Sequence, residues 1–149
     1  MYRVSLTESH FPAQADTAFR PLTVAAMLRE RVLAHGDSLA LREVLEDGSI
    51  DREWTYRQLL EDSVRLARAL ASRHAPGARI AVFANNRPEW VLLELASALA
   101  GVTLVTVNPS FGVRELRYVL EQSKSEAIYF VDAVRGTALL LSQALLEQR

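Results

Sequence analysis

The chain has 149 residues and a formal net charge of -1, with half of its residues hydrophobic. This length fits one domain or a part of a larger one, and the apolar content is sufficient for a sizeable core. Because no basic stripe is present to neutralise phosphates, the charge pattern disfavours a nucleic-acid partner. We therefore expect the partner to be a small molecule or a protein.

Targeting and membrane signals are weak along the chain. The sequence contains no cysteine, and its first residues lack the uninterrupted apolar stretch of a signal peptide. The longest uncharged, mostly apolar run covers residues 95–107, whereas a transmembrane helix needs roughly 20 residues. These features predict a cytoplasmic protein without a transmembrane segment.

The first part of the chain predicts an extended arm, a helix and a hairpin. Residues 1–21 show no periodicity, and a helix is expected from Thr23 to Gly36. Its inner face would carry Val24, Met27, Leu28 and Val32. Strands at 39–44 and 53–55 are then expected to flank a tight turn at Asp47 and Gly48.

A second helix is predicted to follow this hairpin directly. Thr55 and Gln58 fit a capping box, in which each side chain bonds the backbone of the other residue. A surface ion pair is expected between Glu61 and Arg65. The helix ends before residues 76–77, and its predicted buried face consists of Leu60, Val64, Ala67 and Ala71, with Leu59 and Leu70 beside them.

Strands and helices alternate from Arg79 to Val131. Strands are predicted at 79–84, 104–107 and 127–131, with helices at 88–100 and 113–122 between them. Parallel neighbours require such crossovers, because a tight turn can join only antiparallel strands. The fold class is therefore α/β, a parallel-sheet βαβαβ unit with flanking helices and a small N-terminal hairpin.

The helix predicted at 88–100 is apolar around nearly its whole circumference. Such a helix is usually buried on more than one side, as in the core of a larger protein. A further helix with leucines at helical spacing is predicted at 137–148. Both features suggest that additional polypeptide or a second copy of the chain covers this unit.

No catalytic constellation is visible. The six glycines are never closer than 11 residues apart, so no phosphate-binding loop can be drawn. His10, His35 and His74 lack the spacing of metal ligands, and surface or capping roles are expected for them. We accordingly predict no catalytic, cofactor-binding or metal-binding residue within this chain.

Three groups of residues leave alternatives open. A polar turn follows the strand at 79–84, where ligands bind in open α/β sheets, but a role of its side chains in the turn and at the start of the next helix is favoured. The two tryptophans could line a pocket or belong to the core, and two arginines of the helix at 113–122 could hold an anion or form a solvated face. The residues concerned are Asn85, Asn86, Arg87, Trp54, Trp90, Arg114 and Arg117.

Four blocks of sequence resemble the adenylate-forming acyl- and aryl-CoA synthetases, the AMP-binding superfamily. Residues 54–59 and 66–70 are similar to its "T-Y-x-x-L … A-x-x-L" opening, and residues 86–90 with 96–101 to its next block. Residues 107–120 are similar to its "N-P-x-[YF]-x-x-x-E-L-x-Y-x-L" segment. The blocks cover roughly residues 21–131, and their order and spacing are typical of this superfamily. We therefore expect residues 1–149 to be the N-terminal portion of such a domain, with no second domain.

The resemblance implies an ATP-dependent carboxylic acid-CoA ligase that uses Mg²⁺ and coenzyme A. Such enzymes form an acyl-adenylate and then an acyl-CoA, and a fatty acid is the expected substrate. The phosphate loop, the acyl pocket and the catalytic lysine of this superfamily lie beyond Arg149, so none of these cofactors is expected to bind this chain tightly. The partner would be the remainder of the synthetase or a second copy.

Two rival hypotheses remain. The chain could be a non-catalytic binding or oligomerisation module derived from such an enzyme, with its apolar helix at an interface. It could also be an independent flavodoxin-like domain, although the ligand-binding strand ends of that fold are not evident.

Overall fold

The computed structural model describes residues 20–131 and, for their backbone alone, residues 133–134 and 137–138. The arm expected at 1–21 thus lies outside the described residues except for its last two, and so does most of the helix predicted at 137–148. The strand β6 (Ala133–Val134) pairs with β7 (Thr137–Ala138), so the prediction that a helix begins at Thr137 is wrong.

The predicted βαβαβ unit is confirmed with small shifts at its boundaries. It consists of β3 (Arg79–Phe83), α3 (Pro88–Ala100), β4 (Thr103–Val107), α4 (Val113–Ser123) and β5 (Ala127–Phe130). The three strands form a parallel sheet in the order β4-β3-β5, and Ile80 is paired with Leu104 on one side and Ala127 on the other. The α/β fold class is therefore confirmed.

The central strand β3 supplies both halves of the core. Its residues alternate in direction, as the pleat of a strand requires. Ile80, Val82 and the following Ala84 pack with helical residues such as Leu93, while Ala81 and Phe83 pack with Leu116 of α4. The sheet is thus covered by helices on both faces, which is why β3 reads as a continuous apolar run.

The first helix, α1 (Val24–His35), begins as predicted but buries less of its apolar face. The Thr23 hydroxyl accepts a hydrogen bond from the Ala26 amide at 3.1 Å, which satisfies a free donor of the first turn. Leu28 is buried, whereas Val24 and Met27 are exposed. The predicted inner stripe is therefore wrong at two positions.

The expected hairpin is formed by β1 (Leu39–Val44) and β2 (Ile50–Thr55). Gly48 has a φ of 83°, the left-handed conformation that the Asp-Gly turn predicts. The capping box of the next helix, α2 (Tyr56–Ala71), is also confirmed, since the Gln58 amide donates to Thr55 and the Thr55 amide donates to Gln58.

The buried face of α2 is shifted from the predicted one: at three of its four positions, the buried residue is the one just before the predicted residue. Leu59, Ser63, Ala67 and Leu70 are buried, whereas Leu60 and Val64 are half-buried and Ala71 is exposed. Ser63 can lie inside because its hydroxyl donates to the Leu59 carbonyl at 2.6 Å.

The surface ion pair predicted on α2 also has a different acidic partner. Arg65 pairs with Asp62 at 2.8 Å, one turn back, rather than with Glu61. This pair follows the i,i+3 spacing, which brings side chains together on a helix as well as the i,i+4 spacing does.

Helix α3 has the predicted bounds, and its ends show why. Pro88 occupies the first turn, where its missing amide proton is not needed, and Gly101 ends the helix with a φ of 71°. Pro88, Leu93, Ala96 and Ser97 are buried, most other apolar residues of the helix are half-buried, and Glu89, Glu94 and Ala98 are exposed. The helix is thus embedded on one side and partly covered on its flanks.

Candidate functional site

A cavity of about 450 Å³ opens at the carboxyl ends of β3 and β5, on the face of the sheet that α2 and α3 cover. Ligands bind at this end of the strands in open α/β sheets. The walls are mainly apolar, and the only charged groups lining them are Arg87 and Glu89. The lining comprises Leu66, Val82, Ala84, Arg87, Glu89, Trp90, Leu93, Tyr129, Phe130 and Val131.

The charged residues of the cavity belong to a network that joins the hairpin to α3. Arg52 of β2 donates to Glu89 Oε1 and to Glu43 Oε2, each at 2.6 Å. Arg87 donates to the other oxygen of Glu89 at 2.9 Å. The Arg52 guanidinium also lies 5.4 Å from the ring centroid of Trp54, within cation–π range.

This network changes the acid–base properties of Glu89. The hydrogen bond from Arg52 is the main reason why the pKa of Glu89 falls from 4.5 to about 2, while partial burial opposes the change and Arg87 supports it. Glu43 and Glu89 in turn raise the pKa of Arg52. Glu89 therefore stays ionised throughout the neutral range, paired with two guanidinium groups.

We expect this pairing to make stability depend on pH in the acid range. Because the folded-state pKa of Glu89 is the lower one, its contribution is present above about pH 4.5 and is lost as pH falls towards 2. Its side chain is 48% exposed, so solvent screening limits the contribution to about 1 kcal/mol. Urea unfolding of Glu89→Gln should show a deficit against wild type near pH 6 that shrinks near pH 2.5.

Glu94→Gln is the matched control, since Glu94 is an exposed carboxylate on the same helix. It is expected to follow the wild-type profile. A deficit of Glu89→Gln that is the same at both pH values would contradict the assignment of the acid-range loss to Glu89.

A second network fixes the strand side of the cavity. His74, in the turn after α2, has a side chain that is only 8% exposed. Its Nδ1 lies 2.6 Å from Glu126 Oε1, and its Nε2 lies 3.0 Å from the Tyr129 hydroxyl. If Nδ1 carries the proton and donates to the carboxylate, Nε2 accepts from the tyrosine. The ring of Tyr129, which lines the cavity, is thereby held to the end of α2.

Removing the Tyr129 hydroxyl is expected to destabilise the fold. Tyr129→Phe leaves the buried Nε2 of His74 without its partner, which costs about 1–2 kcal/mol. Chemical denaturation measures this loss. Tyr118→Phe is the control, because Tyr118 is 63% exposed and its change should stay within about 0.5 kcal/mol. Equal effects of the two changes would argue against the role given to His74.

Of the three residues in the polar turn after β3, Asn85, Asn86 and Arg87, only Arg87 lines the cavity. Arg87 lines the cavity and is the N-cap residue of α3, but no side chain caps this helix. The capping role considered for Asn85 and Asn86 is therefore wrong, and Asn85 is half-buried while Asn86 is exposed.

Trp90 has both of the roles considered for the tryptophans, because it packs against the core and lines the cavity. Trp54 is absent from that lining and donates to Asp62 at 3.0 Å. Arg114 is exposed on α4, whereas Arg117 is half-buried.

The surface or capping role expected for the histidines is confirmed for His35 and wrong for His74. His10 lies outside the described residues, and His35 is exposed in the last turn of α1. His74 is the residue that the sequence analysis missed. Its partners are 52 and 55 residues away in the chain, so no local pattern could have indicated them.

The described residues do not fit the cofactors that the resemblance implies. Within the described part of the chain no three acidic or histidine side chains gather as a metal site, and every buried side-chain N or O atom has a hydrogen-bond partner. The described residues thus contain neither a preformed metal site nor a buried polar side-chain atom without a partner, and no chemical step is assigned to them. None of the described helices has the length and apolarity needed to cross a membrane.

The parallel sheet with its crossover helices defines an α/β domain of the open-sheet class, in which the cavity lies at the carboxyl edge of the strands. Residues 28–148 match the family described as AMP-binding enzyme. The chain belongs to this family, which confirms the resemblance seen in its sequence.

Two curated relatives and one solved structure illustrate the match. Acyl-CoA ligase SID4 of Ajellomyces capsulatus is 32% identical over 126 residues, which cover 84% of this chain and 20% of the relative. The mitochondrial medium-chain acyl-CoA ligase ACSF2 of Homo sapiens is 38% identical over 90 residues, covering 60% of this chain and 15% of the relative.

The N-terminal subdomain of NpsA from Klebsiella oxytoca, in complex with 3-hydroxybenzoyl-AMSN, has a TM-score of 0.66 and 26% identity. The match covers 78% of this chain and 28% of that structure. The chain thus corresponds to a minor part of each of these proteins.

Proposed function

We propose that residues 1–149 form the N-terminal scaffold of an ATP-dependent carboxylic acid-CoA ligase, a single portion of its AMP-binding domain. The observation that carries this proposal is the family match over residues 28–148, a range that contains the whole parallel β4-β3-β5 sheet. The complete protein would use ATP and Mg²⁺ to form an acyl-adenylate and coenzyme A to form the acyl-CoA.

A fatty acid is the proposed substrate. A medium-chain acyl-CoA ligase among the relatives supports this choice, whereas the structural neighbour NpsA was solved in complex with 3-hydroxybenzoyl-AMSN. The chain alone is proposed to bind neither nucleotide nor CoA tightly, because the phosphate loop and the catalytic lysine that the resemblance implies have no counterpart in residues 1–149. Cytoplasmic location stays a prediction, since one relative is described as mitochondrial.

The first experiment is the intact mass of the protein in its native cell. We expect a mass several times the 16.6 kDa of this chain. The protein isolated at that mass is then assayed for CoA thioester formation with a medium-chain fatty acid and, in parallel, with a hydroxybenzoate. Thioester from the fatty acid supports the proposal, and thioester from the aryl acid alone would reassign the substrate.

The 149-residue chain itself is the matched control for that assay. With ATP, Mg²⁺ and either acid it should release no pyrophosphate. Formation of an acyl-adenylate by this chain would overturn the scaffold role.

The rival role as a binding module is less well supported by the described surface. The fully exposed positions of α3 are Glu89, Glu94 and Ala98, whereas its larger apolar residues are buried or half-buried. A native mass near 16.6 kDa would nevertheless make the binding module the preferred hypothesis.

A further inference from the structure

The cavity at the carboxyl ends of β3 and β5 has the size and the lining of a site for a small apolar molecule. Its volume of about 450 Å³ falls within the roughly 300–1,000 Å³ of known ligand pockets. Three aromatic side chains contribute to its lining, those of Trp90, Tyr129 and Phe130. Trp90 is half-buried and Phe130 is 46% exposed, so a molecule bound here would remove apolar surface of both residues from water.

Two of these aromatic side chains are held in place by contacts with the rest of the domain. The Tyr129 hydroxyl lies 3.0 Å from Nε2 of His74, whose side chain is only 8% exposed. Trp90 packs against the core cluster that contains Val82 and Leu93. Because these walls are already positioned, little conformational entropy is lost when a ligand binds.

The charged side chains beside the cavity neutralise one another. Glu89 accepts a hydrogen bond from Arg87 at 2.9 Å and one from Arg52 at 2.6 Å. Arg52 also donates to Glu43 at 2.6 Å, so two guanidinium groups are paired with two carboxylates. A charged ligand group would have to separate one of these pairs or enter the apolar part of the cavity without a counterion, and both cost free energy. The cavity therefore favours an uncharged ligand over an ion of the same size.

We propose that this cavity binds an uncharged, mainly apolar molecule of about ten non-hydrogen atoms, with an alkyl chain or an aromatic ring. Such binding goes beyond the proposed ligase function and does not depend on it, since described side chains form both the walls and the charge network. A cavity that bound nothing would leave the ligase proposal unaffected. A carboxylic acid of the same length is the alternative ligand, and the two differ in their charge.

Three molecules with the same eight-carbon chain provide the test, because at neutral pH 1-octanol is uncharged, octanoate is an anion and octylamine is a cation. Each is titrated into the 149-residue chain by isothermal titration calorimetry, below the concentration at which it aggregates. We expect 1-octanol to bind to one site per chain, at least about 10-fold more tightly than either ion. Absence of saturable 1-octanol binding would overturn the proposal, and so would octanoate binding of equal strength.

Filling the cavity is expected to weaken this binding. Leu66 and Val131 line the cavity and are half-buried, so Leu66→Trp and Val131→Trp each place a larger side chain in it. Each variant should bind 1-octanol at least about 10-fold more weakly than wild type. Ala98→Leu is the control, because Ala98 is exposed on α3 and does not line the cavity. Circular dichroism checks that each variant is folded, and unchanged 1-octanol binding in a folded tryptophan variant would contradict the site.

Glu89→Gln tests the effect of charge separately. It leaves Arg87 without its carboxylate partner, so the affinity for octanoate should rise to within about 3-fold of that for 1-octanol. Glu94→Gln is the matched control, since Glu94 is exposed on the same helix and does not line the cavity, and it should keep the wild-type preference. An unchanged preference in Glu89→Gln would overturn the role of the charge network and with it the choice of an uncharged ligand.

Discussion

Replacement of Leu70 by alanine is expected to lower the free energy of unfolding by about 2–5 kcal/mol, the range for a buried leucine that leaves a cavity. Leu70 is 1% exposed and belongs to the same core cluster as Ile80 and Val102. It therefore joins α2 to the central strand and to Val102, which lies between α3 and β4. The loss should appear as a lower midpoint in urea with an unchanged slope.

Leu60→Ala is the matched comparison on the same helix. Leu60 is half-buried, so its truncation should cost clearly less than that of Leu70. The comparison also tests which side of α2 faces the core, because the sequence pattern favoured Leu60 over Leu59. If Leu60→Ala lowered the free energy of unfolding as much as Leu70→Ala or more, the burial of Leu59 and Leu70 on the inner face of α2 would be contradicted.

Enlargement of Ala96 to leucine is expected to destabilise the domain by about 1–3 kcal/mol through overpacking. Ala96 has no exposed surface and lies in α3, in the cluster that also contains Ala67 of α2 and Val82 of β3. A larger side chain there has to displace a neighbouring helix or the sheet. Thermal unfolding followed by circular dichroism would report the change as a lowered Tm.

Ala98→Leu controls for the chemistry of the substitution. Ala98 is exposed on α3, two residues from Ala96, and leucine and alanine have similar helix propensities. Its effect should stay within about 0.5 kcal/mol. If the two variants had the same Tm, the space around Ala96 would be larger than the structure shows.

The features that could be predicted from sequence are those governed by local backbone chemistry. Pro88 and Gly101 mark the ends of α3 because one lacks a donor and the other adopts a positive φ. The same holds for the capping box of Thr55 and Gln58. Chain direction in the sheet also followed from the alternation of strands with helices.

The features that escaped prediction depend on contacts between distant parts of the chain. Leu59 and Leu60 are identical in type, so only packing decides which one is buried. The cavity network likewise requires Arg52 of the hairpin to meet Glu89 of α3, 37 residues later. A local pattern contains the ends of such a contact but gives no information about their separation in space.

The position of β3 in the centre of the sheet has a consequence for the order in which the domain assembles. Its neighbour β4 follows after one helix, whereas Ala127 of β5, the other partner of Ile80, follows only after a second crossover. The pairing with β5 is the contact of longer range, and such contacts form later and more slowly. During synthesis, β3 therefore carries an unpaired edge until β5 has left the ribosome, and during this interval that edge is open to wrong strand pairing.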